Sequence, residues 1–381
     1  MLKRNFSRAC RSGEIPQNAR KLLAQAIALS PRNVTPRVTL TRYLISRGDM
    51  RGALTAAHGC LGVQTDNADC LLLLGRVQST LGQKKEAAAS FRRLVALKPS
   101  DASARLALSA ALALTGDRAG AGRSLDAAAE LAPTSAAVKR AQINFQLGQG
   151  NSNAAIASAR AFQAAHPGTE ADLLLAETLQ QARQNDEAVS VLGKSFASRP
   201  NSFILIRLAR LTNDKKRAGE LMAGWLAKNP RDETVRMEFA GLLLQQGDSG
   251  RAISQYEMVV KQNPNNIDAL NNLGWSIQRS DPKRALSLLT HAWELSPNSA
   301  NVADTLGWLK LQQKDVAAGL ALLDRAHTLD PHNGQITYHL AVALDANAKR
   351  DAARGLLKSL LAGGAPFRDR PAAAQQFAAW Q

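Results

Sequence analysis

The sequence has few aromatic residues and very few cysteines. Phenylalanine, tryptophan and tyrosine make up 4% of its 381 residues, and the three cysteines are Cys10, Cys60 and Cys70. None of them lies in a CxxC pair or beside a cluster of histidines, which argues against a disulfide framework and against a zinc site. Cys60 and Cys70 fall on neighbouring predicted helices, so a single disulfide between them is compatible with the sequence.

Signature motifs of catalysis are also missing. No glycine-rich phosphate loop, GxSxG or HExxH motif occurs, and the six histidines are scattered along the chain. Such motifs supply the phosphate cradle, the nucleophile or the metal ligands of many enzymes. We therefore expect a protein that is not an enzyme and that uses no cofactor and no metal.

Long apolar runs are missing too, and no stretch is long enough to cross a membrane. The N-terminal sequence MLKRNFSRACRSGE is basic and has no apolar core of the kind that a signal peptide needs. If Met1 is the natural start, a cytoplasmic location is expected. If the chain is a piece of an exported protein, the cell envelope or periplasm is expected instead.

Positive charge is plentiful. The chain has 48 lysines and arginines against 31 acidic residues, a net charge of +17, and residues 1–51 hold eleven basic residues but only Glu14 and Asp49 as acids. A field of this sign favours acidic partners, nucleic acid or an anionic membrane surface. The basic residues are spread over many helix turns without interleaved aromatics, which favours a solvated helix face over nucleic-acid binding.

Short turns that contain proline recur at nearly constant spacing. The prolines of these turns are at positions 31, 99, 133, 167, 200, 230, 264, 297 and 331. From Pro99 onward the intervals are 34, 34, 33, 30, 34, 33 and 34 residues, and the first interval of 68 equals two units. Proline stops a helix because it cannot continue the hydrogen-bond ladder. The rest of each unit is rich in alanine and leucine, which favour helices.

Each unit also has a turn near its middle, often Gly-Asp as in Gly116-Asp117, and a small residue soon after it. The small residues are Ala53, Ala87, Ala121, Ala155, Ala188, Ala218, Ala252, Ala285, Gly319 and Ala352. A large apolar residue often returns four positions later, such as Phe91 or Leu289, on the same helical face. The pattern predicts two closely packed helices per unit.

A unit of 34 residues with a Leu-Gly pair, a central alanine, a large residue four positions on and a final proline resembles the tetratricopeptide repeat. The segments 71–99 and 269–297 carry this likeness most clearly. It implies an all-α, right-handed superhelical solenoid of about ten helix-turn-helix repeats with a C-terminal capping helix. We expect a basic segment and partial repeat over 1–31, tandem repeats over 32–361 and a cap over 362–381.

The first helices of such repeats line the concave groove in which this family usually binds its partners. Counting from each proline turn places polar residues of the last four units at the inward positions, beside two tryptophans one unit apart. These candidate groove residues are Glu238, Asn271, Asn272, Trp275, Asp304, Thr305, Trp308, Tyr338 and His339. Whether the two indoles face the groove or pack between helices stays open, since a small rotation of the helix exchanges the two outcomes.

The resulting functional expectation is a scaffold that binds a protein or peptide segment, and the net charge favours an acidic one. The C-terminal third also resembles repeat proteins of bacterial exopolysaccharide and envelope export systems, through segments such as NNLGW and DTLGWLKLQQKD. That likeness implies a role in envelope assembly or export. The alternatives are a non-catalytic regulatory or substrate-presenting subunit of a glycosyltransferase or polysaccharide synthase and, last, nucleic-acid binding through the basic N-terminal repeats.

Overall fold

The computed structural model describes residues 19–364 and 366–380, and these are helical almost throughout, with 22 helices and no strand. The all-α solenoid of tetratricopeptide-type repeats that the sequence predicts is confirmed. Cys10 and the first 18 residues of the predicted basic segment lie outside the described residues. The chain divides into two compact units, one up to Ser195 and one from Phe196 onward.

The first unit begins with a single helix that is followed by helices in pairs. Its helices are α1 (Ala19–Leu29), α2 (Thr35–Ser46), α3 (Met50–Leu61), α4 (Ala68–Thr80), α5 (Lys84–Leu97), α6 (Ala102–Thr115), α7 (Arg118–Leu131), α8 (Ala136–Gly148), α9 (Ser152–Ala165), α10 (Thr169–Gln181) and α11 (Asn185–Ser198). From α2 onward each even-numbered helix is the first of a pair, and in the first unit each helix from α1 to α9 packs on the one that follows it.

The second unit continues the pattern and ends with one additional helix. Its helices are α12 (Ser202–Leu211), α13 (Lys215–Lys228), α14 (Glu233–Gln245), α15 (Ser249–Gln262), α16 (Ile267–Ile277), α17 (Pro282–Leu295), α18 (Ala300–Gln312), α19 (Val316–Leu329), α20 (Gly334–Ala346), α21 (Arg350–Ala362) and α22 (Arg370–Ala379). The buried Trp380, with Ala373, packs beside Leu357 of α21, so the terminal segment covers apolar surface of the last pair.

Side-chain caps fix where the helices begin. Many second helices start at an aspartate whose carboxylate accepts a hydrogen bond from the backbone N–H three residues on, as Asp117 does from Gly120. Many first helices start at Asn, Asp or Ser in the proline turn, as α16 does at Asn266. These side chains satisfy backbone donors that an α-helix leaves without an internal partner. The two turns of each unit are therefore encoded locally.

The mid-unit turns need a left-handed backbone. Gly48, Gly82, Gly116, Gly150 and Gly247 all have φ between 75° and 86°. Glycine adopts this conformation without the steric cost that other residues meet. In three other units Arg183, Lys314 and Ala348 take the same conformation, with φ of 58° to 67°. The turn is therefore kept even where the sequence lacks its usual glycine.

The two helices of a pair approach closely at the small residues. A Cβ atom added to Gly274 of α16 would lie 2.6 Å from Cγ of Leu289, which is fully buried on α17. Gly75 faces Phe91 in the same way, also at 2.6 Å. In both pairs the glycine of the Leu-Gly pair lies on the first helix. The large side chain four positions after the small residue, on the second helix, packs against it.

Nine of the ten predicted small residues are buried, and Ala352 is the exception. Ala352 is exposed, and the next residue, Ala353, is fully buried in its place. Asp351, which the pattern places in the mid-unit turn, lies in the first turn of α21, and the turn instead contains Ala348. The spacing itself is kept, since Ala353 follows Ala348 by five residues, as Ala121 follows Gly116. The prediction of Ala352 is wrong because it takes Asp351 as the residue after the turn, whereas α21 begins after Lys349.

Cys60 and Cys70 form a disulfide that joins the end of α3 to the start of α4. Both cysteines are 1% exposed. The disulfide therefore lies inside the core of the first unit. It closes a short segment that contains the connection between two repeats.

Gly274→Ala is expected to lower the free energy of unfolding by about 1–3 kcal/mol, because the added methyl group overpacks the contact with Leu289. Gly224→Ala is the matched control, since its Cβ would meet no atom within 4 Å in helix α13. The control should raise stability by up to about 1 kcal/mol. Chemical denaturation followed by circular dichroism measures both, and equal effects would contradict the close approach.

Reduction of the disulfide is expected to lower the free energy of unfolding by about 2–3 kcal/mol, because it releases a constraint on the unfolded chain. Denaturation with and without reductant measures this difference. Peptide mapping without reductant should recover Cys60 and Cys70 in one linked pair. Two freely alkylated thiols in the native protein would contradict the linkage.

Candidate functional site

The candidate groove residues all lie on the first helices of the last four pairs. Helix α14 carries Glu238, α16 carries Asn271, Asn272 and Trp275, α18 carries Asp304, Thr305 and Trp308, and α20 carries Tyr338 and His339. The repeat places them at equivalent positions of successive helices. The structure divides them into two neighbouring groups.

The first group lines an open cavity of about 850 Å³ in the second unit. Its five members are Glu238, Asn271, Asn272, Asp304 and Thr305. Helices α14, α16 and α18 form most of the wall, and residues of α12, α13 and α15 complete it. A cavity of this size is within the range of binding sites for small molecules and peptide side chains.

Polar and charged side chains dominate the cavity. Four carboxylates and two cations line it, namely Glu233, Glu238, Asp268, Asp304, Arg210 and Lys215. Glu238 forms an ion pair with Arg210, whose Nε donates to Oε2 at 3.0 Å, and this hydrogen bond raises the pKa of Arg210. Burial raises the pKa of Tyr256, which also hydrogen-bonds Asn272. The Oδ1 atom of Asn271 is buried without a hydrogen-bond partner.

The second group consists of the four other candidates, Trp275, Trp308, Tyr338 and His339. It lies beside a short segment, residues 366–369, which we call the strap. His339 is 1% exposed, and its Nδ1 lies 2.8 Å from Oδ1 of Asp304. Its Nε2 lies 2.8 Å from the side-chain nitrogen of Gln335. That nitrogen lies 2.7 Å from Oδ2 of Asp369 in the strap. A continuous polar network therefore joins α18, α20 and the strap.

Both tryptophans are partly exposed, and each has a partner on one ring face. Trp308 stacks on His339, with 4.1 Å between ring centroids and an angle of 20° between planes. The guanidinium carbon of Arg368 lies 4.9 Å from the centroid of the Trp275 ring. Trp275 thus contacts the segment after the last repeat, whereas Trp308 contacts the neighbouring helix α20. Neither indole lines the cavity.

The strap holds its charges close together. Arg368 donates to both carboxylate oxygens of Asp369, at 3.2 Å and 3.1 Å. Partial burial raises the pKa of Asp369, but hydrogen bonds from Arg368 and Gln335 outweigh this effect and leave the pKa below its usual value. Burial, reinforced by the charge of Asp369, raises the pKa of Tyr338. Asp369 is therefore ionised at neutral pH.

Several residues of the site are not evident from the repeat pattern. Arg210 and Tyr256 occupy other helices. The pattern does mark Tyr256, as the large residue four positions after Ala252, but it places this residue at the contact between paired helices and not in the groove. Arg368 and Asp369 follow the last repeat, where the period ends. The pattern of inward positions contains no signal for them. The charged sequence RDR at 368–370 is the only feature that marks the strap.

Two further observations concern metal binding and membrane spans in the described part of the chain. Within residues 19–364 and 366–380 no group of three or more His, Cys, Asp or Glu side chains is arranged to hold a metal ion. In the same residues no helix is long and apolar enough to span a membrane.

Paired helices with small residues at their contacts, stacked so that the first helices line a polar groove, define a helical-repeat protein. Two family models, both described as tetratricopeptide repeat, match residues 68–136 and 310–376. Both of these segments are therefore tetratricopeptide repeats. No curated protein matches the chain.

Solved structures with a related arrangement of helices were also found. A thermophilic tetratricopeptide repeat protein of Thermus thermophilus is 22% identical, with a TM-score of 0.38, over 47% of this chain and 98% of that one. MamA of Desulfovibrio magneticus is 19% identical, with a TM-score of 0.37, over 41% and 89%. A structure of Naa15/Naa10 bound to HypK is 16% identical, with a TM-score of 0.35, over 93% and 67%. At these scores the similarities do not bear on function.

His339→Ala is expected to lower the free energy of unfolding by about 3 kcal/mol, because it leaves the buried Asp304 carboxylate without its partner. His291→Ala is the matched control, since His291 is partly exposed and contacts only surface groups, Asn265 and Glu294. Its effect should be within about 0.5 kcal/mol. Chemical denaturation compares the two, and similar losses would contradict a structural role for the network.

Proposed function

We propose that this protein-interaction scaffold holds a segment of a partner protein along the first helices of its second unit. The open cavity between α14, α16 and α18 is the observation that carries the proposal. It is lined by amides, hydroxyls and charges whose positions are fixed by rigid helices rather than by loops. Sites built on rigid elements lose little conformational freedom when a ligand binds.

The chemistry of the lining suits a peptide. Asn271, Asn272 and Asn301 can each donate and accept hydrogen bonds, as the backbone of an extended or helical segment also does. The buried Oδ1 atom of Asn271 has no partner of its own. This amide therefore has an acceptor to offer if its side chain turns toward a bound segment. The site therefore favours a backbone with both donors and acceptors.

The charge of the cavity differs from that of the whole chain. The net charge of +17 favours acidic partners for the chain as a whole. The cavity itself contains four carboxylates and two cations, and Arg210 is already paired with Glu238. We therefore propose that the cavity takes a neutral or basic segment and that any acidic partner is bound by basic residues outside the cavity.

The histidine–carboxylate pair at the site, His339 and Asp304, is consistent with a non-catalytic role. The Nε2 atom of His339 faces Gln335, so no hydroxyl or thiol occupies the place of a nucleophile in a catalytic triad. The pair joins helices instead. We therefore propose that the groove binds its partner without converting it chemically.

The biological setting that we propose is a bacterial envelope or exopolysaccharide assembly and export system. This proposal is supported by the likeness of the C-terminal third to repeat proteins of such systems. There the chain would recruit a partner protein, or would serve as a non-catalytic subunit beside a glycosyltransferase or polysaccharide synthase.

Selection of random 12-residue peptides on the intact chain tests groove binding. Peptides that bind are expected to lose about tenfold in affinity on Asn272→Ala/Asn301→Ala, because two hydrogen bonds of about 0.5–1.5 kcal/mol each are removed. Thr328→Ala is the control, since Thr328 is exposed on the second helix α19 and lies outside the cavity. Fluorescence anisotropy measures the affinities, with helicity checked by circular dichroism. Equal binding by all three proteins would sink the proposal.

A further inference from the structure

The strap places a cation on the face of Trp275. Arg368 is exposed, follows the last repeat and reaches from beside the start of α20 to an indole on α16. Nothing in the packing of the repeats requires this contact. The aromatic face of Trp275 and the carboxylate of Asp369 together surround the guanidinium group.

Asp369 has anchors other than Arg368. Its Oδ2 atom is 2.7 Å from the side-chain nitrogen of Gln335, and its backbone N–H donates to Oε1 of Gln335 at 3.2 Å. Phe367 packs against Gly334, where an added Cβ would lie 2.8 Å from the ring. The strap is thus anchored on both sides of Arg368. The carboxylate and the indole remain as a pair when the arginine side chain turns away.

We propose that the face of Trp275, together with Asp369, is a guanidinium-binding subsite, and that the partner segment brings an arginine side chain to it in place of Arg368. This inference rests on the proposed function. It adds the chemical identity of one residue of the partner. It also makes Arg368 an internal competitor for the partner's arginine.

The contact that Arg368 makes is weak enough to be exchanged. Its ion pair with Asp369 joins adjacent residues, and the Arg368 side chain is 56% exposed. Exposed ion pairs contribute little to stability, and so do exposed cation–π contacts. A partner that also occupies the cavity would hold its own arginine there with the help of many other contacts.

The geometry favours arginine over lysine. The guanidinium group is planar, so it can stack on an indole and donate two parallel hydrogen bonds to a carboxylate at the same time. The subsite supplies these two features, an indole face and a carboxylate with both oxygens in reach. The ammonium group of lysine is not planar, so it cannot stack flat on the indole while it donates two parallel hydrogen bonds to the carboxylate.

The subsite and the cavity follow one another along the same helices. Asn271 and Asn272 of α16 line the cavity, and Trp275 is one helical turn further on. Asp268, a carboxylate of the cavity, lies two turns before Trp275. A segment that runs along α16 can therefore reach the cavity and the subsite together, and its positive charge meets carboxylates at both.

The test uses the peptides selected on the intact chain, with each arginine replaced in turn by uncharged citrulline. One replacement is expected to weaken binding at least tenfold, and the Arg368→Gln variant should bind the unmodified peptide three- to tenfold more tightly. Arg325→Gln is the charge-matched control, because Arg325 is exposed on α19, where it contacts Asn298. It should leave the affinity unchanged. In Trp275→Leu the citrulline effect should disappear.

The outcomes separate the two proposals. Suppose that binding depends on Asn272 and Asn301. If the peptides then contain no essential arginine, or bind equally to the unaltered chain and to Arg368→Gln, the subsite is overturned and groove binding is left intact. Peptides that depend on neither asparagine would overturn both. Should Trp275→Leu fail to fold, the comparison of Arg368→Gln with Arg325→Gln still decides, since both side chains are exposed.

Discussion

Close approach of paired helices at one small residue is the constraint on which the structure depends. Gly75 receives the ring of Phe91 and Gly274 receives Leu289, each in the space that a methyl group would fill. Large side chains seated on glycine and alanine fix the spacing and register of each pair, since cores are packed at crystal-like density. Each first helix is then held in a defined rotation, which determines the residues that face the groove.

The groove follows from that register. Because α14, α16 and α18 are presented in the same rotation, polar residues at equivalent positions form a continuous lining instead of isolated surface groups. At the last pair the repeat ends, and the chain uses His339 and the strap to join α18, α20 and the terminal segment through hydrogen bonds. The same hydrogen-bond network therefore holds both the last pair of helices and the terminal segment.

The repeat pattern predicted the helices and most of the mid-unit turns, because both depend on local residues at fixed spacing. It also gave five of the residues that line the cavity, since these recur at equivalent positions of successive helices. It placed Ala352 at a helix contact that Ala353 makes, since without a glycine to mark the turn at Ala348 it took the later Asp351 as the residue after the turn. It could not predict that Arg368 lies on Trp275, because this contact joins segments far apart in sequence outside the period. Nor could it give the side-chain partners of Trp308, which depend on the rotation of two helices.

Site-specific photo-crosslinking tests the central claim most directly. A photoreactive phenylalanine is placed at Asn301, which is exposed on α18 and lines the cavity, and separately at Thr328, which is exposed on the second helix α19. The crosslinked product is analysed in the cells from which the chain comes. The account predicts one dominant protein partner from Asn301, lost on Asn272→Ala, and no such partner from Thr328. The same partner from both positions, or a partner from Thr328 alone, would contradict binding in the groove.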